Sequence, residues 1–251
     1  MPNYLISPRR TRVPGAVSGA APYGIPTSAV ANWLPTGGTY AGLYAWWSAP
    51  GLLGLNDGDA LGTWTDFSGN ARDATQATAG NKPTYKVNIR NGLPAIYFDG
   101  SARYLTFSAW SPVEFSVFVV QSVSADSMLI ARSTGAAGQL RIRQSNANTI
   151  SAYDGSNNRS SNTLGVTIGN WSLVEYFWSV KNGLIGFYQN GTSYTGVPTF
   201  NATTFNTIGA LVAYSNYTTG YIGEILMYDG LLGTADRVAV EAILGQRWAL
   251  W

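Results

Sequence analysis

Residues 64–105 read WTDFSGNARDATQATAGNKPTYKVNIRNGLPAIYFDGSARYL. Short apolar runs alternate there with turn punctuation at Ser68-Gly69-Asn70, Lys82-Pro83, Asn91-Gly92 and Asp99-Gly100. Asn-Gly and Asp-Gly supply the positive φ that tight hairpin turns need, so the stretch predicts consecutive antiparallel strands. It holds neither histidine nor cysteine and speaks to fold more than to chemistry.

Upstream, residues 43–47 (LYAWW) predict a first strand, and a loop follows over residues 49–62. Downstream, residues 115–120 (FSVFVV) are aromatic and β-branched, and long enough for a central strand. Residues 128–132 and 139–144 make the next pair. In the second of these, Leu140 and Ile142 alternate with Arg141 and Arg143, the period of a half-buried strand. Residues 150–153 add a short strand before the polar loop 154–163. Residues 173–180 and 184–189 flank Asn182-Gly183, a hairpin signal, and residues 206–211 and 221–228 complete the strands. Thr234 is placed to cap a helix with Asp236 in its first turn, and Val240, Ile243, Leu244 and Trp248 then share one apolar face. Such a series of short strands predicts an all-β fold over residues 41–251. The expected form is a two-sheet antiparallel jelly-roll sandwich with a short C-terminal helix.

The order W-T-D-x-S-G-N-x-x-D-A-T-Q at residues 64–76, then Lys82-Pro83, then N-G-L-P-A-I-x-F-D-G-S-x-x-Y-L at residues 91–105, resembles the concanavalin A-like lectin/glucanase superfamily in its laminin-G-like branch. Gly223-Glu224-Ile225-Leu226-Met227-Tyr228-Asp229, followed by a helix ending at Trp248, is similar to the way such domains close. The resemblance implies a concanavalin A-like sandwich with no single activity. It also implies a calcium site between loops in some branches, and frequent occurrence in bacteriophage structural proteins and secreted bacterial proteins.

The chain has 251 residues, 45% of them hydrophobic and 13% aromatic, enough for one substantial core. Charged residues make up 11%, below the usual quarter or so. That fits either hydroxyl-covered sheet faces or surfaces that lie against partners, where isolated charges would cost desolvation. The net charge of +2 argues against a nucleic-acid partner, which calls for a large basic face. With no cysteine there is no disulfide framework and no thiolate metal site. No run of about twenty apolar residues is present, so no membrane span is expected. The opening MPNYLISPRR does not suit a signal peptide.

Residues 1–40 carry Pro2, Pro8, Pro14, Pro22, Pro26 and Pro35 with glycines between them, which excludes helix and predicts an extended arm. Arg9, Arg10 and Arg12 lie in this arm with no acidic residue. Tyr4, Leu5, Ile6, Tyr23, Ile25 and Trp33 are too many large apolar groups for a purely solvated linker, so the arm is expected to order against another subunit. Together with the resemblance, this leads to a non-enzymatic bacteriophage virion protein as the first expectation. It would be a capsid decoration or appendage, made in the host cytoplasm and held by the arm on the major capsid or tail protein. A homo-oligomer or symmetric array would suit that setting.

The chemistry offered by the sequence is thin. Retaining glycosidases need two carboxyls about 5 Å apart, and glucan-hydrolysing members of the superfamily carry them as Glu-x-Asp-x-x-Glu on one strand. The glutamates here are Glu114, Glu175, Glu224 and Glu241, none in that arrangement, and Glu224 and Asp229 fall on opposite faces of a strand. Without histidine or cysteine, Ser-His-Asp and Cys-His devices are excluded. No enzyme is expected. No cofactor is expected either, the alternative being calcium on Asp57, Asp59, Asp66, Asp73 or Asp99, unless these aspartates simply cap turns. The alternative function is a carbohydrate-binding module for attachment to host or environmental glycans. Its candidate contacts are Tyr153, Asn157, Asn158, Tyr214, Asn216 and Tyr217, an aromatic and amide set in two loop regions.

Overall fold

The computed structural model describes residues 42–124, 126–132, 140–146, 149–154, 158–161, 168–179, 184–189, 192–196, 204–211 and 216–251. The first strands are β1 (Leu43–Ser48), β2 (Thr63–Trp64), β3 (Ala74–Thr75), β4 (Thr84–Arg90), β5 (Leu93–Asp99) and β6 (Leu105–Trp110). Next come β7 (Glu114–Val123), β8 (Ser127–Ala131), β9 (Leu140–Asn146), β10 (Thr149–Asp154) and β11 (Asn158–Ser161). Then β12 (Ser172–Ser179), β13 (Leu184–Gln189), β14 (Thr192–Gly196), β15 (Phe205–Ile208), β16 (Ala210–Leu211), β17 (Asn216–Tyr217) and β18 (Thr219–Asp229) lead into the helix α1 (Thr234–Trp248). The chain is mostly β, with antiparallel sheets and a C-terminal helix. No described helix is long and apolar enough to cross a membrane.

One sheet runs β14-β13-β12-β7-β18-β5-β4, with β1 also paired to β18, and a second runs β11-β10-β9-β8-β15-β6-β3-β2. Strand β18 is long enough to serve several neighbours. Its whole length pairs with β7, from Gly220↔Val123 to Asp229↔Phe115. Its other edge is divided between β5, through Thr219↔Asp99, and β1, through Trp46↔Leu226.

The turn signals come out unevenly. Asn91 (φ 51°) and Gly92 (φ 73°) both take the left-handed conformation of a two-residue hairpin and join β4 to β5, with Arg90 opposite Leu93. At Asp99-Gly100 the expected hairpin is corrected: β5 does not pair with β6, and the chain leaves one sheet for the other. The reason is that β5 is hydrogen-bonded to β4 on one edge and β18 on the other, so no edge is open to β6. Gly100 keeps its positive φ of 80° at this corner, where Asp99 accepts from the Ser101 N–H at 3.0 Å. The expected cap at Thr234 is also corrected. Gly233 is the cap residue and its carbonyl accepts the Arg237 N–H at 2.9 Å, so the helix begins one residue earlier than the hydroxyl could cap it.

Strand β7 is buried over Phe115–Val123 with no polar alternation, as a strand covered on both faces should be. One face meets the second sheet. There Phe115, Val117 and Val119 join Val174 and Trp178 of β12, Phe107 of β6, Leu129 of β8 and Phe205 of β15 in one cluster. The opposite face meets α1. There Phe118 and Val120 pack with Leu226 of β18, Trp46 of β1, and Val240, Leu244 and Trp248 of the helix.

A buried carboxylate holds α1 in place. Glu224, 1% exposed, accepts from Trp46 Nε1 at 2.7 Å, Arg247 Nη1 at 2.6 Å and Trp248 Nε1 at 2.8 Å. Such a charge is tolerated inside a protein only when paired and hydrogen-bonded in this way. Gly223 is required beside it, since a Cβ there would stand 2.3 Å from the Trp248 ring. Asp229, on the other face of β18, is exposed at the strand end.

Candidate functional site

Alternation along β12 turns Leu173, Glu175 and Phe177 away from the inter-sheet core and toward α1. Glu175 lies opposite Phe118 on β7 and opposite Tyr188 on β13. The helix brings Arg237 and Glu241, one turn apart, over this spot. Arg237 is ion-paired with Glu241, stands 3.6 Å from Glu175 Oε2, and sets its guanidinium carbon 3.8 Å above the Tyr188 ring. Gly186 on β13 lets the Phe177 ring lie across the strand, because a Cβ would be 1.7 Å from that ring. Phe177 and Tyr188 are 5.2 Å apart, centre to centre.

Phe118, Glu175, Phe177, Tyr188 and Arg237 border a cavity of about 150 Å³, lined also by Ser116, Leu232 and Thr234. Ser116 Oγ accepts the Leu232 N–H at 2.9 Å and so fixes the segment between β18 and α1. Glu175 is 2% exposed. Burial is the main cause that raises its carboxyl, the neighbouring Glu241 carboxylate adds to it, and Arg237 offsets only part, so that it is pushed up to about 10. Glu175 is thus an uncharged acid at neutral pH. Among the described residues its Oε1 is buried with no hydrogen-bond partner, while Oε2 lies 3.6 Å from Arg237. A buried group in that condition costs about 1–3 kcal/mol and marks a place where a ligand hydroxyl is useful.

A second aromatic set lies on the same sheet face. Tyr97 and Tyr221 are 5.1 Å apart, Tyr221 and Trp171 stack at 6.3 Å, and Trp171 and Trp248 stack at 5.2 Å and 15°. Stacked rings cover one another's faces, whereas a sugar needs a free face. We therefore assign this row to packing.

Of the contacts expected from sequence, Tyr153 and Asn158 are paired across β10 and β11, with side chains outside the described residues. Asn157 and Tyr214 lie outside the described residues altogether. Asn216 and Tyr217 are half-buried on the separate β16–β17 ribbon, opposite Leu211 and Ala210. The arm, with Tyr4, Leu5, Ile6, Arg9, Arg10, Arg12, Tyr23, Ile25 and Trp33, also falls outside.

The aspartates considered for calcium are committed to turns. Asp66 accepts the N–H groups of Trp46, Ser68 and Arg72, each at 2.9 Å, and the Ser68 hydroxyl at 2.8 Å. Asp73 accepts the Asp66 N–H at 2.8 Å, Asp59 the Asn56 N–H at 2.7 Å, and Asp57 the Val87 N–H at 3.1 Å. Asp99 binds Arg103 Nε at 2.6 Å. Among the described residues no three metal-binding side chains converge, so this donor set does not fit a calcium cage.

The Glu175 site itself escaped sequence reasoning, because its members come from β7, β12, β13 and α1. Two signals were present: a glutamate in the otherwise apolar LVEYFW of β12, and Arg237 four residues before Glu241.

No protein-family model and no curated protein sequence matches the chain. Its backbone is similar to solved structures at low identity. Domain 4 of AbnA, a GH43 extracellular arabinanase from Geobacillus stearothermophilus in complex with arabinotriose, matches with a TM-score of 0.60 at 17% identity, over 81% of this chain and 99% of that one. A GH54 α-L-arabinofuranosidase soaked with 4-nitrophenyl α-L-arabinofuranoside gives 0.59 at 14% identity, over 75% of this chain and 51% of that one. Trypanosoma rangeli sialidase gives 0.54 at 12% identity, over 88% of this chain and 38% of that one. The chain therefore spans about half of the arabinofuranosidase and less of the sialidase.

These neighbours overturn the expectation that the chain is not an enzyme, since its fold occurs within glycoside hydrolases. The argument from spacing looks only at local strand patterns, whereas Glu175 and Glu241 are brought together from a strand and a distant helix. None of the three matches links the chain to a phage or to laminin-G-like domains.

Proposed function

We propose that the chain is a carbohydrate-binding β-sandwich protein, its sheets wound as a jelly roll, and that the cavity between β12, β13 and α1 takes a sugar. One observation carries the reading: the buried Glu175 carboxyl, short of a hydrogen-bond donor, lines a cavity walled by Phe118, Phe177 and Tyr188. Sugar sites combine apolar ring contacts with a few convergent hydrogen-bonding groups, and this cavity has both. The complex of the arabinanase domain with arabinotriose supports arabino-oligosaccharides as the first ligands to try.

The experiment is a glycan array of plant and bacterial polysaccharides, followed by titration of the ligands found. Binding is expected, weakened about tenfold by Glu175→Ala in a variant shown by circular dichroism to be folded. Unchanged affinity in that variant would remove the cavity from the proposal, and silence across the array would remove the function. Sugar release, assayed on the same ligands, decides whether binding ends in turnover.

The arm supports a second reading, display of this domain on a particle, because its apolar residues exceed what a solvated linker carries. Loss of particle co-sedimentation on deletion of residues 1–40 is the outcome that reading requires.

A further inference from the structure

We infer that the cavity selects a single neutral sugar residue, held by its hydroxyl groups, and discriminates against sugar acids. The inference rests on the carbohydrate reading and names the class of sugar within it. It follows from how the charges in the site are already spent.

The ionisable groups that face Glu175 are Arg237 and Glu241 from α1 and Tyr188 from β13. Arg237 is the cation an acidic sugar would need. Its guanidinium is ion-paired with Glu241 and lies on the Tyr188 ring, so an incoming carboxylate would have to displace an existing partner. The N-terminus of α1 favours anions in general, but Asp236 already occupies its first turn. The Asp236 carboxylate lies near Gly233, where an added Cβ would be 3.7 Å from Oδ2.

What remains unfilled is an acceptor on Glu175, beside the hydroxyl-bearing Ser116 and Thr234 that line the same cavity. A sugar hydroxyl can donate to the first, and its oxygen can accept from the hydroxyls of the others. A cavity of about 150 Å³ holds roughly five waters at about 30 Å³ each, so one ring enters and a longer chain continues outside.

The test uses the full chain and immobilised oligosaccharides that share one stem and end in arabinose, galactose, glucose, glucuronic acid or sialic acid. The neutral ends are expected to bind at least about tenfold more tightly than the acidic ends, the margin set by one lost ion pair or hydrogen bond. Glu175→Gln is the second arm. The amide cannot ionise and leaves Arg237 and Glu241 in place, so the neutral ends are expected to stay ahead of the acidic ends in this variant. Equal or tighter binding of the acidic ends, in the wild type or in Glu175→Gln, would overturn the inference while leaving carbohydrate binding intact. Absence of binding to every ligand would remove both.

Discussion

Glu175 is directed at α1 by the two-residue period of β12, and its unusual state follows from what the helix places opposite it. Two carboxyls in contact inside a protein cannot both be charged, and Arg237 offsets only part of the cost. The sign of the effect on stability is definite. An acid raised from 4.5 to about 10 contributes stability that is complete below pH 4.5 and is lost as pH rises through about 10. Glu175→Gln cannot ionise and is expected to melt higher than the wild type at neutral and mildly alkaline pH. Melting temperatures across this range should show the difference widening with pH, and a constant difference would refute an uncharged Glu175.

At the scale of elements, α1 is part of the fold and not a tail. Its face made by Val240, Leu244 and Trp248 covers an apolar sheet surface, and Glu224 clasps it to β18 and β1. Glu224→Ala removes the partner of the buried Arg247 and is expected to cost about 3–5 kcal/mol, measured by urea unfolding. A cost below about 1 kcal/mol, typical of an exposed ion pair, would contradict the burial seen here. The Asn91-Gly92 hairpin lies at the opposite extreme. It is determined within four residues, and Gly92→Ala strains a left-handed position by about 1 kcal/mol with no effect expected at the sugar cavity.

Taken whole, the molecule buries the central strands β7, β12 and β18 on both faces, in one cluster with residues of the second sheet and in another with the helix. Because β7, β12 and β18 contribute to both clusters, neither layer can leave without exposing the other. Chemical denaturation followed by tryptophan fluorescence and by far-ultraviolet circular dichroism is expected to give coincident curves, and separated transitions would refute this coupling.

Several features are legible in sequence because their causes are local. Asn91-Gly92 specifies a turn through its own backbone preferences, FSVFVV specifies a buried strand through its composition, and the spacing of Val240, Leu244 and Trp248 specifies a helix face. Other features are not local. Asp99-Gly100 has the same turn chemistry but makes a corner, because both edges of β5 are taken by partners remote in the chain. The candidate site is of this second kind. Glu175, Arg237, Glu241 and Tyr188 are ordinary residues in ordinary elements, and only strand order and helix placement make them neighbours. The sequence by itself determined that this chain is strand-rich, turned at particular dipeptides and closed by a helix, since dihedral preference and periodicity act over a few residues. Tertiary structure alone decided which edges meet and which carboxyls are buried together, since pairing and burial depend on groups that the chain order keeps far apart.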